Sequence, residues 1–342
     1  MTLALLLAGV IVVALNAYVL FAGADFGGGV WDLFATGPRR ERQRELIVRA
    51  MGPVWEANHV WLILAIVLLF TCFPPAFARL AIVLHVPLTL MLIGIVLRGS
   101  AFTFRTYGAE GHQLGRRWGG VFAVASLVTP ILLGVCLGAI AAGRVGAGGA
   151  TGEGFYAGYV APWLTPFGFG VGVFALACFA FLAAVYLTLE AADQPLRDDF
   201  RRRAIAAGLA VFVAAGLVLV LSHGTAPRVR AGLVTVPWAP ALHAATALAA
   251  VTAFAALFWR RYRVARVAAA AQVSLILWGW AFGQYPFLIP PDMTINAVAA
   301  PDVTLRLIAA ALAVGAVILF PSLYYLFKVF KGRDQSSVIS HQ

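Results

Sequence analysis

Gly52-Pro53-Val54-Trp55-Glu56-Ala57-Asn58-His59-Val60-Trp61-Leu62 lies in an apolar run that continues to Phe77. The run is long enough to sit in lipid, yet it carries a carboxylic acid, an amide and an imidazole between tryptophans. Ionisable groups are expensive inside a bilayer, so they usually face a bundle interior or a wet path. Either this stretch lies outside the membrane, or Glu56 has a purpose within it.

The rest of the chain excludes the first option. Of its 342 residues, 62% are hydrophobic and only 11% charged, against about 25% charged in soluble domains. Mean hydropathy is +0.90. The polar segments between apolar runs are too short to fold as a separate soluble unit, so a single helical membrane domain over residues 1–331 is expected. A polar, disordered cytoplasmic tail is expected over 332–342. Cys72, Cys136 and Cys178 sit singly in apolar runs and form no disulfide or zinc pattern. No basic residue precedes the first apolar run, so Leu3 onward reads as a retained helix rather than a cleaved signal.

A helix needs about 20 apolar residues to cross the hydrocarbon core. Nine runs qualify: 3–34, 46–77, 80–102, 118–142, 163–189, 204–222, 238–258, 267–288 and 304–327. With the N-terminus outside and the C-terminus inside, 20 of the 25 Lys and Arg fall on the inner side. Only Arg79, Arg144, Arg228, Arg230 and Arg306 fall outside. Cytoplasmic loops carry such an excess, and a missed span would have flipped every later loop. The expected fold is therefore an all-α polytopic membrane protein of nine spans, and its net charge of +11 calls for no nucleic-acid partner.

Charged groups within the spans are few. Asp25 interrupts an otherwise uncharged first run, and Asp32 follows two turns later on the same face; near the helix end, Asp32 reads as an interfacial charge. Gly23 and Gly27 form a small-xxx-small pair suited to close helix packing. If residues 46–77 form one helix, Glu56 lies about 15 Å along it at about 1.5 Å per residue. That is the inner side, where Asp25 and Arg98 also fall. Glu56 and His59 share a face. An acid, an imidazole and a guanidinium at one depth can pair, lowering their desolvation cost, or can relay protons. Arg98 fits the pairing role, with Asn58 and Asp32 nearby; for Glu56 both readings stand.

Two rival functions follow from the same features. Intramembrane acids suit a proton-coupled secondary transporter, although no inverted repeat is visible and the acids cluster on one side. His85, His223 and His243, each near the outer end of a span, could hold a haem in a self-sufficient membrane b-type haem protein.

The quoted stretch, together with Gly23-Ala24-Asp25-Phe26-Gly27-Gly28-Gly29-Val30-Trp31-Asp32-Leu33, resembles subunit II of the cytochrome bd-type quinol oxidases. So do Arg98 with Phe104-Arg105, and Trp278-Gly279-Trp280-Ala281 through Pro290-Pro291-Asp292, Ala300-Pro301 and Thr304-Leu305. The likeness covers nearly the whole chain. It implies a respiratory terminal oxidase of the bacterial cytoplasmic membrane that oxidises quinol and reduces oxygen to water. It further implies a haem-bearing subunit I carrying haems b and d, with no haem ligated by the present chain. A small single-helix subunit and a bound structural quinone or lipid are further possibilities. Subunit II would then support subunit I and contribute to proton uptake from the cytoplasm through Glu56, Asp25 and His59. This chain departs from the family in two places. Ala22 stands where many relatives carry a further acid, and Glu56 where many carry Asp.

Overall fold

A computed structural model describes residues 2–51, 55–107, 112–146 and 154–336; the side chains of 52–57, 105–116 and 326–336 lie outside the described set. Among the described residues the regular structure is helical apart from one small hairpin. The helices are α1 (Leu3–Leu33), α2 (Arg40–Met51), α3 (Trp55–Cys72), α4 (Pro74–Val83), α5 (His85–Tyr107), α6 (His112–Ala141), α7 (Phe155–Tyr159), α8 (Pro166–Glu190), α9 (Gln194–Thr225), α10 (Pro227–Val234), α11 (Ala239–Phe258) and α12 (Tyr262–Gln284). Strands β1 (Phe287–Ile289) and β2 (Met293–Thr294) pair antiparallel before α13 (Asp302–Ser336). Eight described helices are long and apolar enough to cross a membrane, or nine if one bent pair counts as a span. The tail expected from residue 332 is still helical to Ser336, and residues 337–342 lie outside the described set.

That bent pair revises the expected span 46–77. Its first residues belong to α2, which buries Gln43, Leu46, Ile47 and Met51 on one face and is otherwise charged. Its last residues belong to α4, which turns 117° away from α3. The turn falls at Phe73-Pro74-Pro75. Proline removes a helical N–H and pushes the preceding residue out of the α region, and Phe73 sits at φ −137° and ψ 58°. A hydropathy window sees continuous apolar residues at this turn, whereas the backbone breaks there.

Helix α1 lies at the centre, against α3, α6 and α8. Three successive glycines permit this, each facing a different neighbour. A Cβ on Gly27 would lie 2.5 Å from the Phe179 carbonyl carbon of α8, one on Gly28 2.6 Å from the Met51 sulfur of α2, and one on Gly29 against Ser126 of α6. Gly23 packs on the Phe179 ring at 2.8 Å by the same measure. The small-residue pair therefore does what its spacing suggests. Outside this centre, α5 lies on α6, α9 on α8, and α11 with α12 beyond them. Most of α13 is exposed.

The loops sort into two ends. At one, Arg39 clasps Asp199 through two bonds of 2.6 and 2.7 Å, Arg42 pairs with Asp193, and Arg260 lies 3.4 Å from Asp198. The first loop, the α8–α9 loop and the α11–α12 loop thus meet at one basic end. At the other, Thr2 bonds Asn296 at 3.0 Å, the Ala300 N–H donates to the Cys72 carbonyl at 2.8 Å, and Arg79 donates to the Gly146 carbonyl at 2.6 Å.

Candidate functional site

A cluster of buried polar residues gathers around the C-terminal third of α1. Asp25 lies eight residues, about 12 Å, from the α1 end at Leu33. It is 5% exposed, Asn58 3% and Arg98 2%. The Asn58 amide donates to Asp25 Oδ2 at 2.5 Å. Since α3 runs antiparallel to α1, with Ala65, Leu68 and Cys72 in one apolar cluster with Ala4, Leu7 and Ile11, this bond joins the start of α3 to the C-terminal third of α1.

His59 follows Asn58 and turns its ring onto Tyr18, centroids 5.8 Å apart at 88°, and toward Phe26 at 6.1 Å. The Arg98 guanidinium lies over Phe26 at 4.7 Å and over Phe122 at 5.3 Å, so part of its charge is met by aromatic faces. Asp25, Arg98 and Tyr18 lie within Coulombic range of one another. Opposite charges so placed lower each other's cost of burial. The result is a polar cluster inside an apolar bundle, built by α1, α3, α5 and α6.

Asp25, Asn58, His59 and Arg98 are thus brought together as the sequence suggested. The side chain of Glu56 lies outside the described residues. Its backbone occupies the first turn of α3, two residues, about 3 Å, from Asn58 toward the basic end. Residues 52–54, across which the depth from Leu46 is counted, lie outside the described set.

Asp32 differs from the interfacial charge expected. It is 3% exposed, beneath α2, with the Arg44 Nε 3.8 Å from its Oδ1 and 3.4 Å from its carbonyl oxygen. The sequence also gave no hint of Gln43. This residue is buried on α2, donates to Asp199 at 2.9 Å and accepts from Arg203 at 2.6 Å. Arg203 also stacks on Trp31 and Phe200. At this end the Leu196 N–H at the start of α9, and after it Arg42, hold the Asp193 carboxyl below the usual carboxylate range. The adjoining Asp199 carboxylate raises Arg39 above its ordinary value.

The histidines of the haem alternative are placed otherwise. His85 Nδ1 is hydrogen-bonded to the Ile82 carbonyl at 2.9 Å, with its ring edge-on to Tyr159. His243 Nε2 bonds the Leu233 carbonyl at 2.7 Å, and His223 is exposed. Helix α5, bearing His85, packs on α6, whereas α11, bearing His243, packs on α12. Among the described residues no group of three or more His, Cys, Asp or Glu is placed to hold a metal ion.

A family model described as cytochrome bd terminal oxidase subunit II matches residues 3–330. The chain belongs to that family. A Bacillus subtilis (strain 168) protein, assigned by its name to subunit II of a cytochrome bd menaquinol oxidase, is 23% identical over 323 residues, 92% of this chain and 91% of its own length. Subunit 2 of the Escherichia coli (strain K12) cytochrome bd-I ubiquinol oxidase is 26% identical over 189 residues, 55% of this chain and 48% of its own. A chain in the structure of the bd oxidase from Geobacillus thermodenitrificans shares the fold, with a TM-score of 0.79 at 23% identity, covering 96% of this chain and 99% of that one. Subunit II is therefore a multi-pass membrane protein and part of a bd-type quinol oxidase, a complex that oxidises quinol and reduces oxygen and contains haem.

Proposed function

We propose that this subunit supports a haem-bearing subunit I and contributes a cytoplasmic proton path through Glu56, Asp25 and His59, with Asn58 and Arg98 holding Asp25 in place. The observation that carries this reading is Asp25, a carboxyl buried about 12 Å inside the bundle and held by the Asn58 amide at 2.5 Å beside His59 and Arg98. Pure packing would be served by an apolar residue. A carboxyl held in this way keeps one oxygen bonded to Asn58 while the other can take up and release a proton. Arg98, fixed over Phe26 and Phe122, tempers the charge that remains. Glu56, nearer the basic end, would hand protons to Asp25, with His59 beside it. The buried Ala22 leaves α1 without a second acid at that position, so the load falls on Glu56 and Asp25.

In this reading the basic end faces the cytoplasm, following the positive excess of inner loops, the N-terminus lies outside, and the membrane is the bacterial cytoplasmic membrane. Haems b and d belong to subunit I and supply the oxygen chemistry. A small single-helix subunit and a quinone or lipid tail could occupy the exposed apolar faces, of which α13 is the largest.

Glu56→Gln and Asp25→Asn in the assembled oxidase test the path. Oxygen reduction is expected to slow while haem content stays at the wild-type level. Loss of haem together with activity would make these assembly residues and end the relay reading.

A further inference from the structure

The seam between α5 and α6 holds a second set of polar atoms, next to Arg98 and outside the Asp25–Asn58 bond. Arg98 Nε and Nη2 are buried and have no hydrogen-bond partner among the described residues, nor has the hydroxyl of Thr129. Thr129 is 1% exposed and Arg98 2%. The two belong to facing surfaces. Gly94 precedes Arg98 by one turn of α5, and Thr129 Oγ1 occupies the space where a Cβ on Gly94 would sit. On α6, Phe122, Ser126 and Thr129 share a face, and Phe122 lies under the Arg98 guanidinium.

Two further details make this seam unlike ordinary helix packing. At Thr71, Thr103, Ser126, Thr188, Ser222 and Thr246 the hydroxyl donates to a carbonyl one turn back, at 2.6 to 3.1 Å. Thr129 does not, although buried hydroxyls seek partners. Its neighbour Pro130 lies inside α6 and has no N–H for the Ser126 carbonyl. One turn of α6 therefore offers a hydroxyl and a carbonyl without a helical donor, and the facing helix α5 carries the two unpartnered guanidinium donors one turn from Gly94. Buried water characteristically bridges such sites, where two to four polar partners converge.

We propose that the α5–α6 seam binds ordered water between Thr129 Oγ1, the Ser126 carbonyl and the Nε and Nη2 donors of Arg98. The water extends the polar cluster about 6 Å, the rise of one turn from Arg98 to Gly94, away from the basic end. As a hydration site it stands on this geometry alone; as part of proton delivery it rests on the reading given under Proposed function. Thr129 is then a positioning residue, acting through the water it holds.

The test uses the assembled oxidase with Thr129→Val, which keeps shape and removes the hydroxyl, and Thr129→Ser, which restores it. A high-resolution structure of the wild-type complex is expected to show water within hydrogen-bond reach of Thr129 Oγ1 and Arg98, and that of Thr129→Val to lose it. Thr129→Val is expected to slow oxygen reduction at least about fivefold, the ratio for one hydrogen bond of typical net strength. Its solvent deuterium isotope effect should rise at full haem content, with Thr129→Ser recovering most of the rate. No water density at the wild-type seam overturns the site, and that criterion holds even if Thr129→Val does not assemble. Water without any rate or isotope response overturns its part in proton delivery. If Glu56→Gln and Asp25→Asn still slow turnover in that case, the path stands without the seam; if they do not, the path itself has failed.

Discussion

Gly27→Ala is the sharpest probe of how α1 is held. The added Cβ would lie 2.5 Å from the Phe179 carbonyl carbon and 2.7 Å from the Ala183 methyl. Ordinary carbon contact is about 3.5–4 Å, so the helices must part by about 1 Å. The obstacle is the α8 main chain, which cannot swing aside, and overpacking of this kind costs about 1–3 kcal/mol. Exchanging Gly for Ala in a helix returns about 1 kcal/mol, leaving about 2 kcal/mol of net loss if the clash is at the upper end. Two neighbours calibrate this. At Gly28 the Cβ meets the Met51 sulfur, the end of a flexible side chain, and at Gly9 it meets nothing within 4 Å. Thermal midpoints of the detergent-solubilised oxidase should therefore rank Gly9→Ala highest, Gly28→Ala between and Gly27→Ala lowest. The parting would also move Phe26 off Phe179, stacked 6.4 Å away, and so disturb the support under Arg98. Equal midpoints for the Gly27 and Gly9 variants would refute the close α1–α8 approach on which the site's geometry depends.

Two further outcomes follow. Asn58→Leu removes the donor from Asp25 and leaves a buried acceptor unsatisfied, a cost of about 1–3 kcal/mol; slower oxygen reduction or less assembled oxidase is expected, and wild-type values for both would show that the bond is dispensable. At the basic end, Asp193 has a carboxyl depressed by the Leu196 N–H and then by Arg42. Its contribution to stability is therefore present above the ordinary carboxylate value and is lost as pH falls through the lower folded value. The advantage in thermal midpoint of wild type over Asp193→Asn should persist at neutral pH and vanish in acid, whereas a constant difference across pH would refute the assignment.

What could be read from the sequence, and what could not, follows from the range of each signal. Asp25 and Arg98 stand out because a charge in a long apolar run is a local anomaly, and the helical rise then sets their common depth. The three-way use of Gly27, Gly28 and Gly29 needs three partners that are distant in the chain, so only the small-residue spacing was visible. The second span was misdivided because hydropathy averages over Phe73-Pro74-Pro75, where the chain turns by 117°. Asp32 lies beneath α2, and nothing nearby in sequence shows that α2 folds back over it, although Leu46, Ile47 and Met51 already mark an apolar helical face in need of cover. Thr129 was invisible for a different reason. A threonine before proline in an apolar helix is unremarked in sequence and becomes informative only when its hydroxyl is seen buried against Gly94 of the facing helix with no partner. The acids near the basic end were therefore legible as charges, while any polar route beyond Arg98 depends on neutral groups whose meaning lies wholly in how the helices pack.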